Sequence, residues 1–226
     1  MTSKADVGAS RTDEGVVAIY VSAPVVSFRN PHAREYLETY PCPPPSTVYG
    51  MLLSAVGEVS RGAHIGAEIA YALLSEPELS TVLRTKWRVK FTDVPLGTGS
   101  NKVPDFQELL TGLRMVIWAR KGREEAAAPT LAERLLSALY GPVERFGALS
   151  LGESTCLVDD FRAWREEDGF AGRLLVEDEE NGDLSLPIWA DHVSSTHTRW
   201  GRYRLEKCEW QQGIPERAWV TLAPIR

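Results

Sequence analysis

Sulfur and imidazole are scarce in this chain. Its three cysteines, Cys42, Cys156 and Cys208, are odd in number, far apart and without Cys-x-x-Cys spacing, so neither a disulfide framework nor a zinc site is indicated. Four histidines, at 32, 64, 192 and 197, make no spaced signature either. No metal and no cofactor is therefore expected. Long apolar runs are missing as well: nothing approaches the roughly 20 residues that span a bilayer. Met1 to Glu14 is polar and lacks the apolar centre of a signal peptide, so no membrane partner and a cytoplasmic location are expected. There is no internal repeat and no low-complexity tract.

What is present is ordinary for a globular chain of 226 residues, with 43% hydrophobic and 25% charged residues, enough for one large or two small domains. A net charge of −6 argues at first against a nucleic-acid partner. Ten of the acidic residues, however, fall between Asp159 and Asp183 against only Arg162, Arg165 and Arg173. Outside that window stand 21 acids and 22 bases, a net of +1. Local basic faces, not the total, decide what binds. The window itself reads as a solvated loop region, with a docking surface for a basic partner, or a screen holding a polyanion to one side, as the alternatives.

The most informative stretch runs from Tyr40 to Leu53. Pro41 and Pro43 to Pro45 fix the backbone near the polyproline conformation and disfavour helix in the residues before them. The helix is expected from about Thr47 to Val56, with Ser46 or Thr47 as N-cap and Gly57 as its stop. Such a helix start is a candidate phosphate site, or merely a proline-terminated loop that packs.

Around it the chain reads as follows. Residues 1 to 15 form a leader without periodicity. Val16 to Ala23 is a buried central strand, and Ala67 to Leu74 is read as a strand on topology. From Leu83 to Phe91 the pattern is strict: Arg84, Lys86, Arg88 and Lys90 alternate with Leu83, Thr85, Trp87, Val89 and Phe91, which puts the cations on one face of an extended strand. Successive cations then stand about 6.6 Å apart, twice the ~3.3 Å strand rise, a spacing like that of phosphates along an extended single strand. No acid lies between Thr81 and Thr92 to relieve their repulsion. With Lys102 beyond the loop-like Asp93 to Asp105, this looks like a protruding hairpin with a basic face, the alternative being the solvated face of an amphipathic strand. Phe106 to Thr111 reads as a short helical turn and Leu113 to Ala119 as a strand. Thr130 caps an amphipathic helix to Tyr140, with Leu131, Leu135, Leu136 and Leu139 at core spacing and Gly141-Pro142 ending it. Val143 to Val158 is a strand entry carrying Gly147 and Gly152, and the acidic and then tryptophan-punctuated remainder contributes short strands. The order β, α, β, β, α, β is that of a ferredoxin-like split unit.

Several segments taken together resemble one family, the Cas-five RAMP subunit of type I CRISPR effector (Cascade) complexes. They are Ser27-Phe28-Arg29, the run Tyr40-Pro41-x-Pro43-Pro44-Pro45-Ser46-Thr47-Val48-Tyr49-Gly50-Met51-Leu52, then Pro104-Asp105-x-Gln107-x-Leu109, and Arg145-Phe146-Gly147-x-Leu149-x-Leu151-Gly152-Glu153-Ser154. They occur in family order across residues 16 to 158 and look most like the type I-B group.

The resemblance implies an α+β, ferredoxin-like (RRM-like) βαββαβ domain over 16–158 with a thumb β-hairpin inserted at about 80–112, followed by an acidic segment and a small, mostly β part over 159–226. It implies a crRNA-binding subunit that grips the five-prime handle, folds its thumb over the first guide nucleotides, and bridges a Cas-seven-type backbone subunit and a Cas-eight-type large subunit, with target DNA nearby through the complex. On that view Ser27, Arg29, Ser46, Thr47, Tyr49, Gly50, Arg84, Lys86, Arg88, Lys90, Lys102, Arg145, Gly147 and Gly152 form the RNA-binding set. Arg29 would fork onto a phosphate, the cations would track the backbone, and Tyr49 or Trp87 would stack on a base unless each belongs to the core. The two glycines would permit close approach to a nucleotide, or simply turn the chain. Relatives in type I-C systems imply an alternative, metal-independent endoribonuclease chemistry, for which His32, Tyr36, Tyr40 and Lys86 are the available groups. A protein-only adaptor is the third possibility.

Overall fold

The computed structural model describes residues 15–33, 36–87, 89–192 and 196–225. One mostly antiparallel sheet organises them. Strand β1 (Val16–Val26) is an interior strand next to one edge, and its alternate residues Ile19, Val21 and Ala23 face a common core while the others face the opposite side. It pairs along its length with β4 (Lys102–Arg120) and on its other edge with β5 (Asp160–Ala163). Strand β2 (Glu68–Leu73) lies on the far side of β4. β6 (Ala171–Glu177), β8 (Arg199–Glu209) and β7 (Leu184–Trp189) continue the sheet beyond β2 in that spatial order, and a two-residue β9 (Val220–Thr221) also pairs with β2. The remaining strand, β3 (Glu78–Trp87), pairs only with the outer half of β4.

Helices α1 (Pro45–Ala55) and α2 (Leu131–Tyr140) cover one face, where Val48, Tyr49, Leu52, Leu131 and Leu135 join the inward residues of β1, β2 and β4. On the opposite face Trp164, Trp210 and Ala218 close over Ala70, Ala72, Val116 and Trp118. Helix α2 begins as its sequence indicates: Thr130 accepts a hydrogen bond from the Glu133 N–H while the Glu133 carboxylate accepts from the Thr130 N–H at 2.7 Å. Leu136 alone among the four spaced leucines turns outward, 50% exposed.

Four expectations change. Helix α1 starts at Pro45 with Pro44 as N-cap and no side-chain cap, so neither Ser46 nor Thr47 caps it; proline, lacking an N–H and preset in φ, suits the first helical position. Phe106 to Thr111 is strand, part of the 19-residue β4, because β3 supplies the ladder partners that a helical turn would forgo. Val143 to Val158 is loop with a single bridge, Ser150 to Leu157, and the strand comes only at Asp160. The acidic window is not a solvated loop: it holds β5 and β6, with Leu174, Leu175 and Val176 buried and its acids on the margins.

Candidate nucleic-acid interface

The β3–β4 hairpin projects from the sheet, and most of its residues on both faces are exposed. Its ladder runs unbroken from Glu78 opposite Thr111 to Trp87 opposite Lys102. Residues that stand opposite each other share a face, so Arg84 and Lys86 lie with Gln107, Asp105 and Val103, while Leu79, Leu83 and Trp87 lie with Leu110, Phe106 and Lys102. The alternation read from the sequence holds for Arg84 and Lys86, but β3 ends at Trp87, so Lys90 lies beyond the strand, and the charge balance is not as expected. Lys86 pairs with Asp105, and Arg84 donates to Gln107 and to Glu153 Oε2. The acids missing from the strand itself come from across the ladder and from a distant loop. The hydrogen bond from Lys86 holds the Asp105 carboxyl below the usual carboxylate range.

At the tip Asn101 is fully buried. Its Oδ1 accepts from the Lys90 and Phe91 N–H groups at 2.7 and 2.9 Å, and its amide donates to the Phe91 and Val94 carbonyls. Lys90 lies 5.6 Å over the Phe91 ring, and Lys90 and Lys102 are both open to solvent. Trp87 is 69% exposed on the face away from Arg84 and Lys86, seated over Gly97. Arg88 lies outside the described residues.

The hairpin root gathers three further segments. Residues 27–30 fold back on 37–40 through Tyr40 N–H to Phe28 C=O and Asn30 N–H to Glu38 C=O, and Leu37 pairs with β4 at Phe106 and Glu108. The buried Ser27 hydroxyl is spent on the Glu108 carbonyl at 3.1 Å. That bond uses the one proton the hydroxyl has to donate. Arg29 is exposed, and its charge adds a small share to the lowering of the Asp105 carboxyl. The third segment is the loop bearing Gly152 and Glu153. Gly152 has φ +93°, and a Cβ there would come within 2.4 Å of the Ser27 carbonyl oxygen. Its close approach is to protein backbone, and it presses Glu153 onto Arg84 and Gln107. Gly147, at φ +75°, has nothing within 4 Å, and Arg145 and Phe146 beside it are exposed.

The start of α1 is not rich in free donors. Pro45 has no N–H, and the Thr47 and Val48 N–H groups both turn back to the Pro44 carbonyl. Ser46 is buried at 6% exposure, while Thr47 is half-buried and Gly50 partly open. Tyr49 is fully buried and donates to the Arg61 carbonyl at 2.7 Å, so it is a core residue and not a stacking platform; burial pushes its phenol up to about 12. Sequence reading misses Arg61 here. Its guanidinium lies against the rings of both Tyr49 and Trp189, at 5.3 and 4.9 Å, and its Nη2 donates to the Ser46 carbonyl at 3.3 Å. Nothing local signals this, because Trp189 arrives from β7.

The groups available for ribonuclease chemistry are engaged separately: His32 stacks at 5.2 Å on Trp200, Tyr40 is buried, Tyr36 donates to Glu108 at 3.3 Å and Lys86 faces Asp105. His64 is buried in a structural network, with Nδ1 2.9 Å from Glu125 Oε1, which also accepts from the Leu131 N–H. Among the described residues no group of three or more histidines, cysteines and carboxylates is placed to hold a metal ion, and no helix is long and apolar enough to cross a membrane.

Comparison with known proteins bears on this geometry directly. Residues 16–103 match the family model described as CRISPR-associated protein (Cas_Cas5). Two solved structures share the fold: a chain of a CRISPR RNA-guided surveillance complex, at TM-score 0.56 and 16% identity over 86% of this chain and 90% of that one, and a Cas protein, at 0.51 and 16% over 89% and 98%. A CRISPR-associated protein Cas5 of Myxococcus xanthus (strain DK1622) is 41% identical over 194 residues, 85% of this chain and 91% of the relative. Identity at that level, sustained over so much of both chains, means that the protein belongs to the Cas5 family of CRISPR-associated proteins.

Proposed function

We propose that this chain is the crRNA-binding subunit of a type I Cascade complex, holding the five-prime handle and joining a Cas-seven-type backbone subunit to a Cas-eight-type large subunit in the cytoplasm. On this reading β1, α1, β2, β4, α2 and β5 form the ferredoxin-like RAMP unit, which the strand order β5-β1-β4-β2 supports. The β3–β4 hairpin is its thumb and residues 159–226 are its C-terminal extension; residues 1–14 of the expected leader lie outside the described residues. Placing the last core strand at Asp160–Ala163 moves the end of the unit a few residues past 158.

One observation carries the reading: Arg84 and Lys86 share one face of an exposed hairpin, the exposed Arg29 comes from a separate segment that folds against the same hairpin, and the tip adds Lys90 and Lys102. Arg84 and Lys86 are held in place by Glu153, Gln107 and Asp105, which pre-orders two long side chains and leaves further donors on each for a phosphate. A chain of like fold serves in an RNA-guided surveillance complex, which is consistent with this ligand. The separate engagement of His32, Tyr40 and Lys86 favours binding over cleavage.

Fluorescence anisotropy with handle RNA over a salt series tests it. Arg29→Glu together with Lys102→Glu, both exposed, should weaken binding and flatten the dependence of log K on log salt by about 0.7 for each phosphate no longer neutralised. Unchanged affinity at every salt concentration would remove these residues from the interface.

A further inference from the structure

Several cations around the sheet are clamped by acids. Arg120 meets Glu68 and Glu216, Arg134 meets Glu58, Arg162 meets Asp160 and Asp168, and Arg204 and Arg217 share Glu206. Arg173 of β6 and Lys207 of β8 differ. They stand directly opposite each other in the ladder, on one face, and neither has an ion pair among the described residues. Two like charges in that relation repel. The Arg173 Nε is moreover buried with no hydrogen-bond partner, a costly arrangement for a group that keeps its charge.

Both side chains line a cavity of about 450 Å³ whose opposite wall is Leu73 to Glu76, the turn that leads from β2 into the β3–β4 hairpin. Gly172 brings the two walls together: a Cβ there would fall 2.4 Å from the Leu73 carbonyl oxygen. Two residues before Leu73 on β2, Tyr71 donates to the Pro43 carbonyl, so the same strand touches the proline ramp. Glu76 and Glu209 line the cavity too, but neither carboxylate closes on Arg173 or Lys207.

We infer that Arg173 and Lys207 form an anion subsite for one phosphodiester of single-stranded RNA, on the β6–β8 side of the hairpin root. The inference rests on the RNA-binding reading above and extends the strand's path from Arg29 and Lys86 across the β2–β3 turn. A phosphate relieves the like-charge repulsion and offers the Arg173 guanidinium an acceptor. Arginine opposite lysine suits a phosphate approached from an open groove, where a fork and a mobile point charge act together.

The test uses the full chain and fluorescently labelled handle RNA, with binding measured from low to high potassium chloride. The double variant Arg173→Gln, Lys207→Gln should bind several-fold more weakly at low salt, with the log–log slope reduced by about 0.7, the share of one phosphate on a single strand. Lys207→Glu, at an exposed position, should lose at least as much and decides the matter where the double variant does not fold. Normal affinity and slope in Lys207→Glu, with wild type binding RNA, would overturn the subsite and leave the hairpin interface standing. No binding of RNA by wild type at any salt would overturn both.

Discussion

Two glycines in the same loop separate conformational need from steric need. Gly152 and Gly147 both occupy positive φ, at +93° and +75°, where an L side chain is strained by about 1 to 3 kcal/mol. Only Gly152 is also pressed against backbone, at 2.4 Å from the Ser27 carbonyl oxygen. Gly152→Ala must therefore move the loop, and Glu153 with it, off Arg84 and Gln107. Chemical denaturation should show a loss well above that of Gly147→Ala, which meets only the φ penalty of about 1 to 2 kcal/mol. Equal losses would show that the approach to Ser27 is not sterically limiting. The pair also marks what is legible in the sequence. Both glycines stand out along the chain, but whether the neighbour is a nucleotide or Ser27 depends on a contact across more than a hundred residues. Arg61, Arg173 and Lys207 carry no local signal for the same reason: a guanidinium set against two rings and a pair of opposed cations are made by segments far apart in sequence.

Elements whose signals are local can be read closely. Helix α2 carries its start in Thr130 and Glu133 and its end in Gly141, and it falls where those residues put it. The alternation of β3 is equally plain, since both of its faces stay exposed and no core overrides the pattern. Helix α1 begins earlier than its hydroxyl residues indicate because a proline at N1 replaces the side-chain cap, and β4 runs through Phe106–Thr111 because its partner strand, not its own residues, sets its length. The capping box gives a pH-dependent expectation. The Thr130 backbone N–H, and then its hydroxyl, hold the Glu133 carboxyl below its ordinary 4.5. A depressed folded value stabilises above the unfolded one, and that contribution is lost as the pH falls below 4.5 through the folded value. Thr130→Ala should cost about 1 kcal/mol near neutrality. The gap from wild type, followed by urea denaturation, should narrow on acidification; a gap constant with pH would show that the Thr130 hydroxyl does not hold the carboxylate.

At the scale of the whole molecule, the C-terminal strands are not an appendage. β6 and β9 both hydrogen-bond to β2, so removing them exposes the edge of a core strand. Leu186, Ile188, Tyr203 and Leu222 belong to the same buried cluster as β1, β4 and both helices, and the Tyr49–Arg61–Trp189 stack ties α1 to β7. On the other face Trp210 packs edge-on against Trp118 at 5.2 Å. A chain cut after Ala163 keeps every strand of the proposed RAMP unit, yet it uncovers part of α1, the outer edge of β2 and the indole of Trp118. The apolar area exposed, at about 25 cal/mol per Å², quickly exceeds the roughly 5 to 15 kcal/mol by which a domain is stable. The full chain should thus unfold in one calorimetric transition, with van't Hoff and calorimetric enthalpies in agreement, and the 16–163 fragment should show no cooperative transition of its own. A fragment that melts cooperatively near the full-length temperature would mean that the sheet is two folding units sharing an edge, and that the subsite at Arg173 and Lys207 can be removed without touching the hairpin.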